Sequence, residues 1–306
     1  MVKILFKRTH MAFLPEIDAY IKYFNEMQCF EAYDSFVLGE YSEKDFDVIW
    51  EFKGLGGSRP RNSVLIHEYA SLSTGLLPKF KNLFKTKINP RPDLRVFLNN
   101  DVMHGFGFND GVEFCLRDMG IDESFLIARN SIKDKEYDFV YVGPVSRVRG
   151  IDRLLSLFSK NKLGKICLIG NVDDGIYSSY KNNKDIIFVG RVPYSCVPEI
   201  AAKAVYGINF IPNKYPYNIQ TSTKLLEYLA LGLKIITTDY KWLRLFEKNN
   251  KCNFYKISDR DIDINIEGLK RYNFVINFEA DRFIWKNIIH NSGIEQKILK
   301  LINETS

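Results

Sequence analysis

The sequence is poor in the residues that build metal centres and disulfide frameworks. Its four histidines show no metal-ligand spacing. Its cysteines are odd in number, scattered and never arranged as Cys-x-x-Cys; they are Cys29, Cys115, Cys167, Cys196 and Cys252. These features argue against a zinc site and a disulfide framework, and they favour a reducing compartment. We therefore expect no protein-held metal and no cofactor.

Long apolar runs are scarce as well. No stretch reaches the roughly 18 apolar residues that a membrane-spanning helix needs. The start, MVKILFKRTH, lacks the apolar centre of a signal peptide. We therefore expect a cytoplasmic protein, with peripheral attachment at the inner face of the membrane as an option. The net charge of +6 is modest and tolerates anionic partners, and we expect no nucleic-acid partner.

The chain does contain enough apolar material for two cores. At 306 residues, 46% of them hydrophobic, it exceeds what one core usually organises. Strand-like runs alternate with helical patterns from end to end, which is typical of parallel, doubly wound sheets. We therefore predict an α/β protein with two Rossmann-like domains facing a cleft, an N-terminal domain at residues 1–132 and a C-terminal domain at residues 133–280.

The predicted elements follow this alternation closely. In the N-terminal half, helical patterns at residues 15–27, 76–87 and 109–119 separate six strand-like runs: VKILF, DSFVLGEY, DFDVIWEF, NSVLIHEY, LRVFLNN and SFLIARN. In the C-terminal half, helices near residues 150, 174, 194, 221 and 240 separate DFVYVG, KICLIG, IIFVG, YGINFIP, KIITTD and CNFYKI. Ligands gather beyond the carboxyl ends of strands in open sheets, so residues that follow strands are the first site candidates.

The most informative stretch is YNIQTSTKLLEYLALGLKIITTD. Thr221, Ser222 and Thr223 precede a helical pattern, and they can cap a helix whose first N–H groups bind an anion. Lys224 supplies a charge suited to phosphate, and Glu227 lies on the same helix face, where it can accept hydrogen bonds from two sugar hydroxyls. The spacing suits a nucleoside diphosphate, although such residues also open many helices that bind nothing.

The run TSTKLLEYLALGLKIITTD resembles the C-terminal signature of the group 1, retaining glycosyltransferases of the GT-B fold. FLIARNSI resembles the family's strand entering the interdomain linker. FVYVGPVSRVRGIDRLL is similar to the strand, phosphate loop and helix that open its nucleotide domain, and IIFVGRVPYSCVPEIAAKA to the strand and loop that hold the base. One departure is Ile219, which stands where the better-known form of the signature has a first glutamate, eight residues before Glu227.

The resemblance implies an activity and a division of labour. The N-terminal domain would bind the acceptor and the C-terminal domain the nucleotide-sugar, while helices at residues 281–306 would pack back toward the N-terminal domain. The reaction would move a sugar from a nucleoside-diphosphate donor, a UDP-sugar by default, to a hydroxyl of a glycan acceptor. By family resemblance that acceptor is lipid-linked, the pathway is bacterial-type surface polysaccharide synthesis, and the anomeric configuration is retained.

The resemblance also assigns residues to the donor. Arg147 and Lys224 would hold the diphosphate, with Arg149 as the second choice, and arginine grips phosphate with a fork that lysine lacks. Glu227 would fix the ribose. Further donor-side residues are Gly143, which ends the strand before the phosphate loop, and Arg191 and Val192, which follow IIFV in the loop that would hold the base.

Two other functions stay open on the sequence. A GT-B sugar-nucleotide epimerase would need acid and base carboxylates at its site and no second substrate. A non-catalytic nucleotide-binding or glycan-binding subunit of a polysaccharide assembly complex would be consistent with Ile219 in place of the first glutamate.

Four residues after predicted strands are acceptor-side or catalytic candidates in the N-terminal half. His67 follows NSVLI, and Glu68 beside it could orient its imidazole against acceptor or donor phosphate; the alternative is a strand-end histidine bonded to a backbone carbonyl. Asp101 and His104 lie in the Gly-flanked NNDVMHGFGFND, which we expect to be a mobile loop or a turn. The GLGG at residues 54–57 does not match the dinucleotide-binding fingerprint GxGxxG, because Arg59 occupies the position of the third glycine.

Residues 76–95, LLPKFKNLFKTKINPRPDLR, combine apolar residues at helical spacing with six cations and one acid. A basic amphipathic helix of this kind is typical of a membrane-surface element, here one for an anionic membrane. The alternative is a helix that faces the core and carries a basic outer face.

Overall fold

The structure, a computed structural model, describes residues 1–8 and 14–305. It divides into two compact units: unit 1 comprises Met1–Gly120 and Asp281–Ser306, and unit 2 comprises Ile121–Ala280. Thr9 and His10, which follow the first strand, lie outside the described residues. Among the described residues, no helix has both the length and the apolar character needed to cross a bilayer.

Unit 1 is built on one parallel sheet. Its strands, numbered along the chain, are β1 (Val2–Lys7), β2 (Phe30–Asp34), β3 (Val48–Phe52), β4 (Val64–Tyr69), β5 (Leu94–Phe97) and β6 (Glu113–Leu116). They are arranged in the order β2-β1-β3-β4-β5-β6. Its helices are α1 (Pro15–Asn25), α2 (Ser35–Leu38), α3 (Pro78–Ile88), α4 (Asn100–Phe106), α12 (Trp285–Asn291) and α13 (Ile294–Thr305).

The core of unit 1 explains why its central strands are almost continuously apolar. A parallel sheet covered on both faces must present apolar side chains on both. Trp50 on β3 packs against Phe6 and Tyr20, with ring centroids 5.0 and 4.5 Å apart. Helices α12 and α13 add Ile289 and Ile298 to the same core.

Unit 2 repeats the plan with a second parallel sheet, ordered β12-β11-β10-β7-β8-β9. Its strands are β7 (Tyr137–Val142), β8 (Ile166–Ile169), β9 (Ile186–Gly190), β10 (Ala204–Asn209), β11 (Lys234–Thr238) and β12 (Tyr255–Ile257). Its helices are α5 (Ser124–Ser131), α6 (Ile151–Asn161), α7 (Asp174–Tyr180), α8 (Val197–Ala201), α9 (Thr223–Ala230), α10 (Lys241–Asn250) and α11 (Ile266–Arg271). The predicted doubly wound α/β plan is therefore confirmed.

Two predicted elements of unit 1 are wrong. The run DSFVLGEY is not a strand, because the Asp34 carboxylate accepts a 2.9 Å hydrogen bond from the Phe36 N–H and opens helix α2 there. The helical pattern at residues 109–119 contains strand β6 instead, where Phe114 lies opposite Arg95 of β5.

The segment SFLIARN forms helix α5 instead of the predicted strand. Its buried residues Phe125 and Ala128 are three apart, which is a helical spacing that a short apolar run does not distinguish from a strand. Helix α5 packs against α8 and α9. The chain therefore divides after Gly120, before the boundary predicted at residue 132.

Candidate functional site

The sheet of unit 2 has a switch point between β7 and β10. These strands are neighbours, with Tyr206 opposite Phe139. From β7 the chain proceeds outward through β8 to β9, and from β10 it proceeds to the other edge through β11 to β12. Connections that leave in opposite directions open a crevice beyond the carboxyl ends of the two strands, where ligands bind in such folds. The loop after β7 and the start of helix α9 meet there.

Glycines shape the floor of this crevice at the ends of β7, β8 and β9. Gly143 donates its N–H to Ile169 O at 2.8 Å, and Gly170 donates to Gly190 O at 2.8 Å. A Cβ at Gly170 would lie 2.2 Å from Gly143 O, so no side chain fits. Gly143 itself has φ +136°, a conformation that favours glycine. The loops therefore approach one another through bare backbone.

Lys224 reaches across the crevice from helix α9. Its Nζ lies 5.1 Å from the centre of the Tyr141 ring on β7, within cation–π range. The same Nζ is 3.4 Å from the place where a Cβ on Gly143 would stand. The side chain and the glycine, predicted separately from the sequence, lie side by side.

The surroundings of Lys224 disfavour the positive charge on its ammonium group. Burial and, after it, the positive charge of Arg149 lower the pKa of its ammonium group to about 7, against the opposing charge of Glu227. Two cations that repel one another beside free helix N–H groups gain most from an anion placed between them. The arrangement is suited to a phosphate or diphosphate group.

The two arginines of the loop after β7 differ in exposure and in neighbours, and the structure favours Arg149 over Arg147 as the partner of Lys224. Arg149 is partly buried and acts electrostatically on Lys224. Arg147 is exposed; its backbone N–H donates to Asp173 Oδ2 at 3.2 Å, and its Nη2 lies 3.5 Å from where a Cβ on Gly175 would be. Its guanidinium group therefore lies over the first turn of helix α7. Residues two apart in a tight loop leave it in different directions, which the sequence could not resolve.

Glu227 is almost fully buried, with 4% of its surface exposed. Its Oε1 accepts a 2.6 Å hydrogen bond from the hydroxyl of Tyr194. Burial raises the pKa of the carboxyl group to about 7, a net value that already includes the opposing effects of the Tyr194 hydrogen bond and the charge of Lys224. A ribose on Glu227 would therefore have to share this carboxylate with Tyr194 or displace its hydroxyl.

Tyr194 is a site residue that sequence reasoning missed. It follows β9 in a short 3₁₀ turn, and its ring packs 5.7 Å from that of Phe125 on helix α5. Arg191 and Val192, the predicted base-side residues, precede it in the same loop; Arg191 is exposed and Val192 partly buried. The sequence did contain one signal that could have identified Tyr194, namely an aromatic residue four positions after the end of a strand.

The hydroxyl groups before helix α9 differ in their availability. Ser222 is the N-cap: its Oγ accepts from the Leu225 N–H at 3.4 Å and donates to Asn209 Oδ1 at 2.7 Å. That hydroxyl caps the helix, as predicted, and a contact of Ser222 with the donor stays a prediction. Thr221 and Thr223 are partly exposed, and the N–H groups of Thr223 and Lys224 have no partner inside the helix.

Asn209 explains why the start of α9 is fixed in place. It is fully buried at the end of β10, and its Nδ2 donates to Thr237 Oγ1 and to the Tyr240 hydroxyl, both at 3.0 Å. With the Ser222 bond, this amide ties the helix cap to the carboxyl ends of β10 and β11. A polar residue ending the otherwise buried run YGINFIP was the signal for it.

A second tie runs from α9 to β7. The hydroxyl of Tyr228 accepts the Val142 N–H at 2.8 Å. Its ring crosses β10 at Gly207, where a Cβ would lie 2.6 Å from the ring. Helix α9 is therefore anchored on both sides of the switch point, and Lys224 and Glu227 are presented from a fixed support.

His67 does not follow a strand as predicted, because β4 continues past it to Tyr69. It is fully buried within β4, its Nδ1 lies 3.4 Å from the Tyr69 hydroxyl, and its Nε2 lies 3.6 Å from Glu51 Oε2. Burial, together with the charges of Lys53, Arg95 and Arg59, lowers the pKa of the imidazole to about 2. His67 is a neutral core residue in this structure and does not contact solvent.

Glu68 does not orient His67, because successive side chains of a strand point to opposite faces. Glu68 Oε2 accepts from Trp50 Nε1 at 2.9 Å, and its other oxygen pairs with Arg117. Arg117 is fully buried and donates from Nε to the Tyr20 hydroxyl at 2.9 Å. Glu68 therefore belongs to a buried polar cluster of unit 1 and is not an acceptor-side residue.

Asp101 and His104 lie on helix α4, where a loop was expected. The Asn99 side chain caps this helix by accepting the Val102 N–H at 2.9 Å. Asp101 is partly exposed and His104 is exposed. Of the acceptor-side candidates, these two keep a surface position after a strand of unit 1.

The two six-stranded parallel sheets, each with flanking helices and its own core, define the class of the protein as GT-B by fold. No protein-family model matches the sequence, and no curated protein matches it.

Solved structures are similar to the chain over nearly its whole length. AviGT4, a glycosyltransferase involved in avilamycin A biosynthesis, has a TM-score of 0.61 at 12% identity, covering 99% of this chain and 98% of that one. Anabaena HepE, solved with UDP and glucose, has a TM-score of 0.60 at 10% identity, covering 100% and 99%. WaaG, a glycosyltransferase involved in lipopolysaccharide biosynthesis, has a TM-score of 0.50 at 14% identity, covering 100% of both. At these identities the likeness shows the fold, and it confirms the predicted GT-B class.

Proposed function

We propose that the chain is a glycosyltransferase that moves a sugar from a nucleoside-diphosphate donor to a hydroxyl group of an acceptor. The observation that carries this is the position of Lys224 Nζ against Gly143 at the switch point of unit 2, under the charge of Arg149. Two cations, bare backbone and a helix N-terminus converge there, which is the set of groups that binds a diphosphate.

The same groups would support the chemistry. As the bond between the anomeric carbon and the phosphate oxygen breaks, negative charge develops on the diphosphate, and Lys224, Arg149 and the first N–H groups of α9 stabilise it. The acceptor oxygen forms the new bond to the anomeric carbon. Its proton passes to the departing phosphate oxygen, on the same face of the sugar, so the configuration is retained without a protein base. Arg147 is a third, more peripheral cation.

The nucleoside would be held beside the diphosphate. Glu227 would accept hydrogen bonds from the ribose, next to Tyr194, and the loop of Arg191 and Val192 would contact the base. We take uridine as the base, supported by HepE, which was solved with UDP and glucose. The acceptor is a glycan, lipid-linked in surface polysaccharide synthesis, with Asp101 and His104 as candidates on its side.

The test is nucleotide binding followed by transfer. Isothermal titration calorimetry with UDP, and with ADP, GDP and CDP for comparison, should show one preferred diphosphate, and Lys224→Ala should weaken its binding at least tenfold, a loss of about 1.4 kcal/mol, with an unchanged circular dichroism spectrum. UDP-sugars should then release UDP only when an acceptor glycan is present. Epimerised donor without an acceptor would identify an epimerase, and binding without turnover across a glycan panel would identify a non-catalytic subunit.

A further inference from the structure

We propose that helix α3 docks unit 1 on an anionic lipid membrane. The apolar side chains of this helix and its entry point to solvent: Leu76 is 86% exposed, Phe80 70% and Phe84 56%. We call this surface the α3 face; it consists of Leu76, Leu77, Phe80, Leu83, Phe84 and Ile88, all exposed. An ordinary surface helix turns such an apolar stripe toward the protein core. Helix α3 instead turns its apolar stripe toward solvent.

The residue that α3 buries is polar. Asn82 is fully buried, and its Oδ1 accepts the Ser73 N–H at 2.9 Å. The helix is therefore attached to unit 1, where it packs on α4, through an amide, while its aromatic and aliphatic side chains remain in water. A contiguous exposed apolar surface of this kind marks an interaction site.

The charges around the α3 face identify the partner. Pro78–Ile88 contains four cations and no acidic residue, and the cations are Lys79, Lys81, Lys85 and Lys87. Lysines beside exposed apolar side chains match a bilayer surface, because their ammonium groups pair with lipid phosphates while the apolar groups enter the acyl boundary. A protein partner would have to supply acids around an apolar patch, whereas an anionic leaflet offers both at once.

The α3 face continues onto a neighbouring loop. The Asn89 side chain, at the end of α3, accepts the Gly56 N–H at 2.8 Å and donates to Gly54 O at 3.3 Å. Leu55, held between these two glycines, is exposed. This adds one more apolar side chain at the end of the helix. The inference rests on unit 1 alone and does not depend on the reaction proposed for unit 2.

The experiment is co-sedimentation of the full chain with vesicles. Vesicles of phosphatidylcholine and phosphatidylglycerol in equal parts should carry the protein down, and pure phosphatidylcholine vesicles should bind it far less. Raising the salt concentration should release it, because salt screens the lysines. Each lysine near an anionic leaflet changes binding by about fivefold.

Two variants and two matched controls separate the contributions. Phe80→Ser with Phe84→Ser should abolish sedimentation, whereas Ile127→Ser with Val148→Ser, at exposed apolar residues of unit 2, should leave it unchanged. Replacing the four α3 lysines with glutamine should weaken binding at least tenfold. The control for that variant has the same net charge, with glutamine at four exposed lysines elsewhere: Lys160, Lys181, Lys184 and Lys248.

Three results would overturn the proposal. One is equal binding to neutral and anionic vesicles. Another is binding that survives both α3 variants. The third is a lipid-free dimer, measured by light scattering, that the Phe80→Ser and Phe84→Ser variant dissociates, because the α3 face would then be an interface between copies of the chain.

Discussion

The hydroxyl of Tyr194 donates a 2.6 Å hydrogen bond to Oε1 of Glu227. The loop that follows β9 thus supplies a hydrogen-bond donor to a carboxylate on helix α9. The hydrogen bond lies at the position where the proposal puts a ribose. The pairing shows how the fold supplies a hydrogen-bond donor to a buried acid, and it makes the ribose contact testable.

Glu227→Gln should weaken UDP binding about tenfold, because hydrogen bonds to a charged group contribute about 1.5–3 kcal/mol and those to an amide about half of that. The fold should persist, since the amide oxygen still accepts from Tyr194. Tyr194→Phe should raise the pKa of Glu227 further and should make UDP affinity more dependent on pH. Calorimetry measures both, with Tyr177→Phe at an exposed ring as control. Unchanged affinity in Glu227→Gln would remove the ribose contact.

The affinity for UDP should fall as the pH rises from 7 to 9. Because the pKa of Lys224 is lowered to about 7, the ammonium group loses its proton over this range when no UDP is added. A bound diphosphate favours the charged form, so binding must take up a proton, and affinity falls by up to about tenfold per pH unit. Lys224→Arg keeps its charge and should give a flatter profile. Parallel profiles for the two proteins would contradict the assignment.

The two arginines of the β7 loop should differ in effect. Arg149→Gln should weaken UDP binding more than Arg147→Gln, because the charge of Arg149 acts on Lys224 and would act on a diphosphate bound there. Arg149→Gln should also raise the pKa of Lys224 and move the pH profile upward. Direct titration of both variants at several pH values makes the comparison. A larger loss in Arg147→Gln would restore the order that the sequence suggested.

Ser222→Ala should destabilise unit 2 without directly removing a ligand contact. Loss of an N-cap costs about 1 kcal/mol, and the buried acceptor of Asn209 left without Ser222 adds about 1–3 kcal/mol. Urea unfolding followed by circular dichroism measures the change in the free energy of unfolding. The neighbouring Thr223→Ala, at a partly exposed residue, should change stability by less than about 0.5 kcal/mol.

The stability of unit 1 should decrease below pH 6.5 through His67. Its pKa falls from an ordinary value of 6.5 to about 2 in the fold, so acid protonates the unfolded chain but not the native imidazole. Each pH unit in this range should remove up to about 1.4 kcal/mol. The free energy of unfolding of His67→Gln should depend less steeply on pH than that of the wild type, and His104→Gln is the exposed control. If the free energy of unfolding depended on pH with the same slope in His67→Gln and the wild type, the titration would belong to a group other than His67.

The alternation of elements was predictable because buried parallel strands need continuous apolar runs, and the start of α9 was predictable because Ser222 is a strong N-cap type. The errors have physical causes too. His67 and Glu68 were taken to follow a strand, but β4 continues to Tyr69, so they lie within it and face opposite sides. Tyr194 was missed because its partner is distant in sequence, and such tertiary contacts leave no local pattern.

Asn89 joins the end of α3 to the glycine loop after β3 through two hydrogen bonds. Arg59, further along the same loop, also donates to Arg91 O at 2.7 Å, just after α3. Any force that holds α3 is therefore transmitted through these side chains to the loop that follows β3, the strand that pairs with β1 in the first sheet. A membrane contact at α3, as proposed above, would therefore also act on the loop after β3, and replacing Asn89 with alanine would remove two of the hydrogen bonds that join them.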